Sequence, residues 1–144
     1  MRGGTAMLWV GVGVLTASVA SAYDCQLQGS SHPPGHRYTQ GWIILECDER
    51  TGYYEYWGCE IAGKAVPANG EEEVNDQGFI KTCVKSLGQD GGRVFDEIRI
   101  SIIACVVDKV RIPKGHRWTF AEKTCHCRKS HQSVVSSCTK RQGV

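Results

Sequence analysis

The chain has 144 residues, 17 Lys or Arg against 15 Asp or Glu for a net charge of +2, and eight cysteines. Beyond the first twenty-two residues no segment is apolar for long enough to span a bilayer, which needs roughly 20 residues, so a membrane-spanning class is excluded for the mature chain. The remaining length buries only a modest core, and cross-links at about 2 to 4 kcal/mol each must supply much of the stability.

In chain order, Arg2 precedes an apolar run from Ala6 through Leu15 towards Ala20, which ends in the small residues Ala20, Ser21 and Ala22. This pattern predicts a secretory signal peptide over residues 1–22, with the mature chain starting at Tyr23. Gly11 and Gly13 interrupt the run and no stop-transfer flank follows, which argues against a membrane helix. The Arg141-Gln142-Gly143-Val144 end carries no lipidation or retention signal. The predicted location is the extracellular space or extracellular matrix.

Next come the cysteines Cys25, Cys47, Cys59, Cys83, Cys105, Cys125, Cys127 and Cys138, all beyond the predicted cleavage site. In an oxidising compartment an even count reads as four disulfides, though spacing alone does not say which cysteine meets which. Cys25, Cys59 and Cys105 are each followed eight positions later by Pro33, Pro67 and Pro113, then by Gly35, Gly70 and Gly115, and each segment closes on Cys47, Cys83 or Cys125. Gly35-His36-Arg37-Tyr38-Thr39 returns as Gly115-His116-Arg117-Trp118-Thr119, and Lys81-Thr82-Cys83 returns as Lys123-Thr124-Cys125. One unit of roughly 40 residues is used three times.

Between the turn signals, short β-branched and aromatic runs such as 42–45, 53–57 and 98–102 predict strands. Asp48 to Gly52 joins the first two as a hairpin, and Gly88 to Gly92 breaks the chain before Ile98. The fold class is all-β, made of small disulfide-stabilised β-hairpin modules. The organisation runs as signal peptide 1–22, a cysteine-rich region of two units over 23–83, a connecting strand segment 84–104, a C-terminal unit 105–138 and a basic tail 139–144.

Charge is unevenly placed. Residues 23–100 hold 7 Lys or Arg against 13 Asp or Glu, a net of −6, whereas residues 101–144 hold 9 against 2, a net of +7. His116, His126 and His131 add to the basic end. The set Lys109, Arg111, Lys114, Arg117, Arg128, Lys129, Lys140 and Arg141 is the candidate binding surface, with a solvated face as its plain alternative. At strand spacing Lys109 and Arg111 share a face opposite Val110 and Ile112. Sulfated glycosaminoglycans of the heparan-sulfate type suit such a surface by counter-ion release, whereas nucleic acid is not a partner expected outside the cell.

In the last unit the order Cys105, Gly115 with Trp118, Cys125-His126-Cys127 and Cys138 resembles the fibronectin type I module. That resemblance implies bonding of first to third and second to fourth cysteine, hence Cys105 with Cys127 and Cys125 with Cys138. Over residues 25–138 the chain also resembles the secreted abnormal cell migration protein 18-like family, whose modules are divergent fibronectin type I domains. The resemblance implies an extracellular factor of matrix remodelling and cell migration that works with a matrix protein or a secreted metalloprotease.

Chemistry beyond a scaffold finds little support. Cys125, His126, Cys127, His131 and Cys138 are zinc-type ligands, but zinc and nucleophilic catalysis both need free thiolate, which four disulfides would consume, so no metal is expected. Ser130, Ser133, Ser136 and Ser137 stand in no nucleophile motif, and the repetition of His36 and His116 points to structure. Glu71, Glu72 and Glu73 lack the ligand alternation of a calcium loop and read as a solvated acidic loop. Trp42, Trp57, Trp118, Tyr53, Tyr54 and Tyr56 are expected to fill the small core rather than a binding face. No enzyme, cofactor or N-glycosylation site is expected. The predicted function is a non-enzymatic extracellular adaptor or cofactor, and the alternative is a cysteine-rich antagonist of a protease or growth factor.

Overall fold

The fold is that of a computed structural model, which describes residues 23–141. The predicted signal peptide and the last three residues of the predicted basic tail lie outside the described residues.

Each unit begins with the hairpin that explains the eight-residue cysteine-to-proline spacing. β1 (Cys25–Leu27) pairs with β2 (Ser30–His32), and β5 (Tyr54–Ile61) with β6 (Lys64–Pro67). β9 (Arg93–Val107) likewise pairs with β10 (Val110–Pro113). In all three the first cysteine sits opposite the residue before the proline: Cys25 faces His32, Cys59 faces Val66 and Cys105 faces Ile112. Two-residue turns close them at Gln28-Gly29, Ala62-Gly63 and Asp108-Lys109, all with positive φ, which matches the right-handed twist of the flanking strands. Proline then ends the strand, because it has no N–H to add to the ladder.

A three-stranded antiparallel meander follows each hairpin. The first is β3 (Arg37–Gln40), β4 (Ile43–Cys47) and β5; the second is β7 (Val74–Asp76), β8 (Phe79–Asp90) and β9. The third is β11 (Arg117–Thr119), β12 (Lys123–Ser130) and β13 (Ser133–Lys140). β5 and β9 therefore serve twice, as the last strand of one unit and the first strand of the next. This fuses neighbours into the sheets β3-β4-β5-β6 and β10-β9-β8-β7, with β1-β2 before them and β11-β12-β13 after. The register shifts that make Trp57 and Ile103 the extra residues fall on these shared strands, two residues before Cys59 and Cys105. The carbonyls of both accept a hydrogen bond from the residue after the unit's proline, Ala68 N–H at 2.9 Å and Lys114 N–H at 2.9 Å. A bulge bends a strand and increases its twist, which lets one strand turn from one unit to the next.

Disulfides tie the sheets in series. Cys25–Cys47 joins β1 to β4, Cys59–Cys83 joins β5 to β8, and Cys105–Cys127 joins β9 to β12, with Cα separations of 5.8, 5.7 and 5.6 Å. The fourth, Cys125–Cys138, lies within the last sheet between directly opposed residues of β12 and β13. The structure thus holds the two pairs that the type I resemblance implies.

It also shifts the repeat frame. Cys127, not Cys125, is the counterpart of Cys47 and Cys83, so the Lys-Thr-Cys match is out of structural register by two residues. Gly35 N–H donates to the Cys47 carbonyl at 2.9 Å and Gly115 N–H to Cys127 at 2.6 Å, while in the second unit the donor is Asn69 N–H, to Cys83 at 2.9 Å. Asn69, with φ 59°, therefore replaces the left-handed glycine, and Gly70 is not its equivalent. Asparagine tolerates this conformation, and its side chain adds two hydrogen bonds of 2.9 Å to the Lys85 backbone. The main-chain carbonyls of His36 and His116 accept from Cys47 N–H and Cys127 N–H at 2.9 and 3.0 Å, a backbone contact that is independent of the histidine side chains.

Residues 84–104, read in the sequence as a connecting segment, form most of the long β8–β9 hairpin, turned at Gly91-Gly92. Two small cores flank it. Cys59, Ile61, Val66 and Cys83 pack with Ile98 and Ile100; Cys105, Ile112, Cys125 and Cys127 pack with Phe79 and Val134. Phenylalanine reaches the second core, but the tryptophans and tyrosines do not fill these cores as the sequence suggests. Trp42, Tyr53 and Trp118 are exposed, and among the described residues the buried hydrophobic side chains are those of cystine, Ile, Val and Ala. The space between stapled sheets suits small side chains, so rings stack outside it. Tyr54 packs edge-on against Tyr38 at 4.7 Å and shares a 2.9 Å hydrogen bond with His36 Nδ1, and Arg37 lies 3.7 Å above the Trp57 ring. Desolvation, then Tyr38, raises the Tyr54 phenol above its ordinary range.

Candidate functional site

The basic residues picked out in the sequence do not form one patch, because the strands send them to five places. Lys109 is the second turn residue of the β9–β10 hairpin, with φ 65°, so it does not share a strand face with Arg111 as the spacing suggests. Arg111 on β10 makes a two-pronged ion pair with Glu73, Nη1 to Oε2 at 2.6 Å and Nη2 to Oε1 at 3.1 Å. That hydrogen bonding and the carboxylate charge raise the guanidinium's already high pKa. The pair is largely exposed and adds little stability, but it neutralises Arg111 locally. It also anchors the acidic loop: Glu72 pairs with Lys64 at 2.8 Å, so two of the three glutamates are engaged.

Arg117 and Arg128 lie on the outer face of the last sheet. Arg117 stands opposite His126, and His126 and Arg128 alternate with Cys125 and Cys127, which point into the core. Lys140 faces Lys123 across β12–β13, and Lys123 is paired with Asp108 at 2.8 Å. Arg141 follows, held by a backbone hydrogen bond to the Glu122 carbonyl at 3.0 Å. Lys114 and Lys129 meet elsewhere, in a cleft of about 600 Å³ between β9 and the β12–β13 turn, together with Arg99 and His131.

Arg99 is the residue that the sequence reading misses, because it lies in the acid-rich half and only the β8–β9 hairpin carries it to the basic end. His131 counts in sequence toward the basic end but not toward the binding set. Among the described residues, Lys114, Arg117, Arg128, Lys129, Lys140 and Arg141 take part in no ion pair.

In the first unit, Glu46, Asp48, Glu49 and Glu55 line a cleft of about 590 Å³ beside Cys47, with Arg50 the one cation among its lining residues. All eight cysteines are in disulfides, so the thiols of the zinc-like cluster at Cys125, Cys127 and Cys138 are committed to S–S bonds.

A family model for the fibronectin type I domain matches residues 57–135, more than half of the chain. The matched stretch starts two residues before Cys59, covers the second unit and runs through the third as far as the start of β13, short of Cys138. No curated protein and no solved structure matches the chain.

Proposed function

The chain belongs to the fibronectin type I domain family, and from that premise we propose that it is a secreted, non-enzymatic adaptor of the extracellular matrix, one that supports matrix remodelling and cell migration. Its partners are sulfated glycosaminoglycans, held by the basic C-terminal surface, and a matrix protein or secreted metalloprotease. Four disulfides in a chain of this size support a life in an oxidising compartment. The observation that carries the polyanion reading is the group of C-terminal cations without carboxylate partners among the described residues, in a protein that pairs Lys64, Lys81, Arg111 and Lys123 with acids. Unpaired cations held on rigid strands attract a polyanion by releasing its counter-ions, so binding weakens steeply with salt.

The test is a heparin column. The mature protein is retained at low salt and elutes as salt rises, and Lys114→Glu with Arg128→Glu shifts elution to much lower salt. Passage of the unaltered protein without retention, or no shift in the double variant, refutes the polyanion reading.

A further inference from the structure

We infer that the cleft between β9 and the β12–β13 turn is a binding site for a short sulfated segment of a linear polysaccharide. The inference rests on the polyanion reading and narrows it to one place. Three cations and a histidine from separate parts of the chain line it: Arg99 on β9, Lys114 just after β10, Lys129 near the end of β12 and His131 in the turn that follows. No carboxylate is among the lining residues, and none of the four is in an ion pair among the described residues. Like charges held together repel, and an anion between them relieves that repulsion.

The rest of the lining suits a sugar better than a bare inorganic anion. Ile102 offers apolar contact to the face of a pyranose ring, beside the part of Ile100 and Val134 that the cores leave uncovered, while Ser101, Gln132 and Ser133 offer groups that hydrogen-bond its hydroxyls. The cleft volume of about 600 Å³ falls within the range of small-ligand sites. Its two walls are held by Cys105–Cys127, six residues after Arg99 and two before Lys129. The backbone of the walls is thereby tied, and the ordering cost of binding falls on the exposed Arg and Lys side chains. The outer-face pair Arg117 and Arg128 has equal charge but lies on a sheet surface without such walls.

The probe is a size-defined heparin tetrasaccharide, compared with the same tetrasaccharide after desulfation. Binding to the mature chain is measured by titration calorimetry over a range of salt. Arg99→Gln with Lys129→Gln is expected to weaken the sulfated tetrasaccharide by about tenfold and to flatten the plot of log affinity against log salt by one to two units. Arg117→Gln with Arg128→Gln removes the same charge from the outer face and, for a probe too short to reach both places, should weaken binding clearly less than the cleft variant does, by about threefold or under. All four side chains are exposed, and an unchanged disulfide map with unchanged near-ultraviolet circular dichroism shows that the variants remain folded.

Equal losses in the two variants, equal binding of the desulfated sugar, or tighter binding of an acidic peptide of matched charge would each overturn the cleft. If long heparin is retained and only the outer-face variant releases it, the cleft fails and the broader surface reading stands. If the unaltered protein binds no heparin of any length, both fail.

Discussion

Gly58 shows how closely one residue can be tied to the fold. It lies on the shared strand β5 just before Cys59, and a Cβ placed there would collide with the Val66 carbonyl oxygen and sit 3.0 Å from its carbonyl carbon. These are backbone atoms of β6 and cannot swing aside as a side chain does. Gly58→Ala is expected to cost about 3 kcal/mol, read as a lower urea midpoint at unchanged slope. Ala104 holds the matching place before Cys105 and is fully buried, so the third hairpin is spaced to take a methyl group. A cost near zero would show that β5 and β6 can open to the same spacing. Glycine at 58 is visible in the sequence, but its reason is not, because the atom it makes room for lies across a hairpin. Asn69 is the converse: its place in the frame is legible only from its hydrogen bond to Cys83, since the eye follows the glycine beside it.

At the scale of elements, strand sharing explains why only the last unit has a second disulfide. The counterparts of Cys125 opposite Cys138 are Leu45 opposite Tyr56 and Lys81 opposite Ile102. In those units the final strand runs on as the first strand of the next hairpin and is fixed by Cys59–Cys83 or Cys105–Cys127. β13 has no following unit among the described residues, so the cross-strand link at Cys125–Cys138 does that work locally. Replacing both cysteines by serine is expected to cost about 3 kcal/mol, in line with a loop of this length, and to raise amide exchange in β12 and β13. Protection in β8 and β9 should stay as it was. A uniform rise along the whole chain would show that the last disulfide supports the entire molecule. The C-x-C signature and its resemblance to type I modules made this unit readable. The shared strands were hidden, because nothing in the residues marks where one strand leaves its first partner for a second.

At the scale of the whole molecule, each inter-sheet disulfide reaches only the next sheet, so stability is built from nearest-neighbour contacts as in a repeat array. A fragment beginning at Trp57 keeps the last two units intact and is expected to refold oxidatively with Cys59–Cys83, Cys105–Cys127 and Cys125–Cys138. Peptide mapping without reduction checks this, and scrambled pairs would mean that the first unit templates the others. By itself the sequence determined the all-β class, the three units and the division into an acidic and a basic end, because periodicity, turn chemistry and charge are local properties of the chain. Only the tertiary structure decided that Cys127 rather than Cys125 closes the third unit, that Arg111 is neutralised by Glu73, and that Arg99 joins Lys114, Lys129 and His131 in one cleft. Those outcomes depend on residues far apart in sequence meeting across strands and disulfides, and no local pattern records which of them will meet.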